Sequence, residues 1–179
     1  MNFRAFIIIA LVVLILGVTN LNLQMKYSHN ISVKEYEMLD LSQCNIPENL
    51  AQNANRQELK IKIQKLFNEP HSYKEVESEQ LGETFTNAFL RKVAIKKGLD
   101  NEWYVITYTH ELCHIKYWTQ NDTYVSYKTF VMLYESGDYI FKNVAERYAY
   151  RVLSGYWKGK DYDAGYYIQN YLRERNINL

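Results

Sequence analysis

Residues that interrupt helices are scarce in this chain. Of 179 residues, 7 are glycine and 2 are proline. A turn-rich β-sandwich needs more of both, so helices are expected to dominate. The apolar fraction of 47% is enough for a core, which excludes wholesale disorder. The length fits one domain, with or without an appendage. Lys plus Arg number 21 against 20 Asp plus Glu. That near-balance gives no electrostatic basis for nucleic-acid binding, and no such partner is expected. Cys44 and Cys113 are the only cysteines, too few for a disulfide scaffold. Cys113 is expected to be a packed side chain. The 17 tyrosines can bury their rings and keep their hydroxyls near water.

The first 23 residues have a different character. Arg4 precedes an apolar run from Phe6 to Leu16, and no charge occurs between Arg4 and Lys26. An uncharged stretch of about 20 residues has the length of a membrane span. Residues 1–23 are therefore read as a transmembrane anchor, with a cleaved signal segment as the alternative. The positive-inside rule slightly favours a single-pass protein with its domain outside the cytoplasm. Cleavage would make it secreted. Residues 24–48 read as a linker and 49–179 as the folded domain.

Within that domain, Leu59, Ile63 and Leu66 form a helical stripe in a segment from Leu50 to Phe67, closed by Asn68-Glu69-Pro70. A second helix is expected from Ser78 to Lys97, with Leu81, Phe85, Ala88, Phe89, Val93 and Ile95 on its apolar side. Its basic end, Arg91, Lys92, Lys96 and Lys97, suits a solvated helix C-terminus and could touch anionic lipid if turned toward a membrane. A third helix covers residues 103–118, because Trp103, Ile106, His110, Cys113 and Tyr117 recur at helical spacing. Residues 124–134 fit either strand or helix. Further helices are expected over Tyr139–Leu153 and Ala164–Arg175. The fold class is thus mainly α, with α+β carrying a small sheet as the alternative.

The chemistry concentrates in His110-Glu111-Leu112-Cys113-His114, an H-E-x-x-H sequence. On a helix, imidazoles four residues apart share one face and can converge on one metal. Zn2+ suits neutral imidazole and keeps an exchangeable water position in catalytic sites. Glu111 is placed to take a proton from that water. Two histidines need a third ligand. Glu146, on the next strongly helical segment, is the candidate, with Glu135 second. Tyr148, Tyr150 and Tyr156 are candidate donors to a developing oxyanion, and Tyr156 is the one taken. Asp138 or Asp163 could orient a ligand imidazole.

With these residues the chain resembles the gluzincin metallopeptidases, above all compact ImmA/IrrE-like members, and more distantly the membrane family that includes HtpX. The resemblance covers mainly residues 101–153. It implies a compact zincin-like domain in which His110 and His114 bind zinc and Glu111 acts as the base. Glu146 would be the third ligand, in the E-x-x-A pattern Glu146-Arg147-Tyr148-Ala149. The function expected is zinc-dependent hydrolysis of peptide or protein substrates, with membrane attachment through the N-terminal segment. The alternative is a noncatalytic, zinc-stabilised, membrane-tethered adaptor.

Overall fold

The computed structural model describes residues 47–86, 90–154 and 160–179. The N-terminal apolar segment, most of the linker and Tyr156 lie outside the described residues, as does the side chain of Asp163. Among the described residues, five helices and three strands occur in the order α1 (Arg56–Phe67), β1 (Ser72–Val76), β2 (Gly82–Thr86), β3 (Arg91–Lys96), α2 (Asn101–Tyr117), α3 (Asp122–Tyr134), α4 (Tyr139–Leu153) and α5 (Lys160–Glu174). The described region is mainly helical, with a small mixed sheet. No helix among the described residues is long and apolar enough to cross a membrane.

Helix α2 is the axis of the fold. Tyr104, Val105, Ile106, Tyr108, Leu112, Cys113 and Ile115 are all buried. A helix that is apolar on every side must be covered on every side. Accordingly α1, α3, α4 and the strands β2 and β3 all pack against it. Asp100 caps its start by accepting from the Trp103 amide, satisfying one of the first-turn donors. It ends at Trp118, whose left-handed backbone (φ 49°) reverses the chain.

The segment expected as one helix from Ser78 to Lys97 is instead β2, a connection and β3. The strands form a sheet of order β1-β3-β2, with β1 parallel and β2 antiparallel to β3. Two facts about the side chains explain the correction. Leu81 and Phe85, assigned to a buried helical stripe, are 42% and 54% exposed. Thr84, Phe85, Thr86, Val93 and Ile95 are β-branched or aromatic, types that favour a pleated backbone. Strand β1 was not anticipated, and α1 starts six residues later than expected, at its Asn55 cap. The ambiguous 124–134 segment is helical within α3, whereas α4 has the expected bounds.

A dry ionic cluster fixes α4 to the start of α2. Glu102 is 2% exposed. Arg147 donates to its two carboxylate oxygens, each at 3.0 Å. Arg151 adds a contact at 3.0 Å, and Asn49 Nδ2 donates at 2.9 Å. Arg147 also donates to the Pro47 carbonyl, so the entering chain is held in the same cluster.

Candidate metal centre

His110 and His114 emerge from the last two turns of α2 on one face, with their Nε2 atoms 3.2 Å apart. His114 Nδ1 lies 2.7 Å from the Thr119 carbonyl. That carbonyl can only accept, so Nδ1 carries the proton and Nε2 presents its lone pair toward His110. The reversal at Trp118 places Thr119 for this contact. Thr119 Oγ1 in turn accepts from the Asn121 amide at 3.1 Å, and Asn121 caps α3 by accepting from the Tyr124 amide at 3.0 Å. This short exit loop delivers Asp122, the first residue of α3, to the histidines. Its Oδ1 is 3.4 Å from His114 Nε2 and 4.0 Å from His110 Nε2.

Among the described residues, His110, His114 and Asp122 form the metal-competent group, each offering one ligand atom within 4.8 Å of the others. Atoms bound to a tetrahedral zinc ion lie about 3.3 Å from one another. Two edges of the triangle match that spacing, and the third, from His110 to Asp122, is longer. Two imidazoles and a carboxylate are a donor set that zinc accepts, so the residues present fit the ion.

The structure brings Asp122, not Glu146, to the histidines. Glu146 is half-buried on α4, with its carboxylate 4.0 Å from Lys142 Nζ. Its neighbour Arg147 is bonded to Glu102, two helical turns before His110. Glu135 accepts from the Tyr171 hydroxyl at 2.7 Å. Asp138 caps α4 and pairs with Lys62 at 2.9 Å, and neither Glu135 nor Asp138 is among the residues that line the cleft. His71 is engaged with Tyr108 and the Glu69 carbonyl. Cys113 is fully buried, and burial pushes its thiol up to about 12, as expected of a packed, unreactive side chain. Of the tyrosines weighed as donors, Tyr148 lines the cleft beside the histidines.

Glu111 faces β2. Thr84 Oγ1 lies 2.5 Å from its carboxylate, to which it donates, and 3.1 Å from its carbonyl. A Cβ on Gly82 would lie 2.6 Å from Glu111 Oε1 and 2.7 Å from Thr107 Cγ2. Only glycine permits this approach of strand to helix. Burial pushes the Glu111 pKa up. The Thr84 hydrogen bond and the His114 charge oppose that shift, and Asp122 and Glu83 add to it. Burial alone would lower the His114 pKa, but Asp122, the Thr119 carbonyl and Glu111 outweigh it and hold the pKa above its ordinary value.

These groups line a cleft of about 740 Å3, bordered by residues 79–84 on one side and by Trp103, Ile106 and Tyr148 on the other. Sequence reasoning missed Asp122, Thr84 and Gly82. The signal for Asp122 was the polar loop directly after the motif, which returns the chain within eight residues of His114. The other two had no signal, because their strand was read as a helix.

Compared with family models, curated proteins and solved structures, the chain has no match. The likeness to gluzincins therefore rests on the H-E-x-x-H and E-x-x-A residues alone.

Proposed function

We propose that this protein is a zinc-dependent peptidase with a zincin-like site, in which His110, His114 and Asp122 hold the ion and Glu111 is the general base. The observation that carries this reading is the three-ligand triangle lying in an open cleft with a buried carboxylate beside it. Zinc, when bound, lowers the pKa of a coordinated water and polarises the attacked carbonyl. Glu111 accepts a proton as water oxygen bonds to the carbonyl carbon. It returns that proton to the amine as the C–N bond breaks. Thr84 and Gly82 keep the carboxylate in place. Tyr148 borders the reacting group and is the described candidate for donating to the oxyanion, with Tyr156 the candidate outside the described residues.

A polypeptide substrate is favoured by the edge position of β2. Among the described residues that strand pairs with β3 alone, and its Gly82, Glu83 and Thr84 line the cleft, so an extended peptide can add to its edge. The N-terminal apolar run is read as a tether that places the domain beside a membrane, outside the cytoplasm.

Glu111→Gln tests the assignment. The variant is expected to keep zinc and its fold while losing about 100-fold or more in zinc-dependent proteolysis. Equal activity in variant and wild type would remove Glu111 as the base. Zinc binding without proteolysis in the wild type would leave the adaptor reading in its place.

A further inference from the structure

Helix α2 covers one face of the sheet, and among the described residues no helix packs on the other. Strand register assigns side chains to the two faces. Gly82 and Thr84 point at α2, so their partners Ile95 and Val93 share that side. The intervening residues, Glu83 and Phe85 with Ala94 and Lys92, lie on the open side. Parallel pairing adds Lys74 beside Ala94 and puts Lys96 beside Val76. The result is a depression of about 320 Å3 lined by Lys74, Phe85, Thr86, Leu90, Lys92 and Ala94. Phe85 is 54% and Leu90 41% exposed. Lys97, at the end of the sheet, is 3.4 Å from Glu77. Among the described residues no carboxylate forms an ion pair with Lys74 or Lys92. Glu83 is the acidic residue that register places on this side.

We infer that this open face docks on an anionic membrane surface. The charge complementarity is direct, since Lys74, Lys92 and Lys96 stand on one side of three strands. Leu90 beside Phe85 adds aliphatic surface, which base stacking on aromatic rings does not call for. Phosphodiester recognition draws on cations and polar donors, whereas an interfacial lipid surface takes apolar side chains between the lysines. Lysine stems can lie along the apolar boundary while their ammonium groups reach phosphate. Each lysine near such a surface raises partitioning about fivefold. The inference goes beyond the peptidase reading and does not require the tether, because it rests on residues of the folded domain.

The test uses the full chain, diluted from mild detergent into preformed vesicles of phosphatidylcholine alone or with about a third phosphatidylserine. Flotation reports association, and acylation of lysines by a water-soluble reagent reports which face is covered. The expected result is protection of Lys74 and Lys92 on phosphatidylserine vesicles only, reversed by high salt, with Lys142 modified equally on both. The double variant Lys74→Glu/Lys92→Glu should lose at least tenfold in salt-sensitive association, and Phe85→Ser should weaken it with both lysines kept. Wild type that fails to float with neutral vesicles but gains this protection on anionic ones would refute the tether and still support the face. Equal modification of Lys74 and Lys92 on both vesicle types would overturn the inference. So would binding of single-stranded RNA through these lysines without any vesicle protection.

Discussion

Helix α2 carries a polar cluster at each end, and the two are built on opposite principles. At its start, the Glu102 carboxylate meets two guanidinium groups and an amide, all within 3.3 Å and almost fully withdrawn from water. Each lone pair is used, and the cluster ties together α2, α4 and the entering chain. At its end, about 18 Å along the axis, two imidazoles, Asp122 and Glu111 gather, and among the described residues no lysine or arginine lines the cleft around them. Acceptors facing one another beside open space contribute little to stability. They make sense as a place for a cation. A saturated cluster is structural, whereas an acceptor-rich one beside a cleft is a candidate for chemistry.

This contrast can be broken most readily at the saturated end. Glu102→Ala removes the buried carboxylate and leaves two largely covered arginines without it, and removing one partner of a buried pair costs about 3–5 kcal/mol. Urea unfolding should show that loss. A change below about 1 kcal/mol would mean that the cluster is not the structural tie described. Replacing Glu102, Arg147 and Arg151 together with Leu, Met and Met should cost less than the single change, because no charge is then stranded.

At the other end, Gly82→Ala should destabilise by about 1–3 kcal/mol through overpacking against Glu111 and Thr107. It should also depress proteolysis while zinc affinity holds, since its clashes are with the base and not with the ligands. Parallel loss of zinc would show that the strand supports the whole centre.

A smaller effect separates both clusters from the ordinary surface. Asp138 caps α4 and pairs with Lys62. Burial would raise its pKa, but the Lys62 hydrogen bond and the α4 amides hold it below the ordinary value. The folded-state pKa is thus the lower one, so its stabilisation is present above about pH 4 and fades as pH falls through the folded value. Asp138→Ala should cost about 1 kcal/mol at neutral pH and approach wild type in acid. A difference independent of pH would reject the linkage.

Legibility in the sequence followed how local the determinants are. Helix α4 was readable to the residue, because Val144, Ala145, Tyr148, Ala149 and Val152 form a continuous buried stripe. Helix α2 was readable although it is buried all round, because the histidine spacing adds a second periodic signal. Strands β2 and β3 were not readable. Leu81, Phe85 and Phe89 fall at four-residue intervals, and that accidental spacing masked the alternation of Gly82 and Thr84 with Glu83 and Phe85. The same misassignment hid Thr84 and Gly82. The polar loop after the motif signalled a return of the chain toward Asp122, but the reversal is made at Trp118, a left-handed residue that is not glycine, and that residue type does not announce the turn. Glu146 was chosen on pattern, but Arg147 beside it is committed to Glu102 and its own carboxylate lies near Lys142.

The most direct test of the centre is zinc affinity, measured by competition with a chelating dye, in wild type, Asp122→Ala and Glu146→Ala. The account predicts one zinc per wild-type chain, a loss of at least tenfold in Asp122→Ala, and wild-type affinity in Glu146→Ala. Loss of zinc in Glu146→Ala with Asp122→Ala unchanged would contradict it, as would a wild-type chain that binds no zinc.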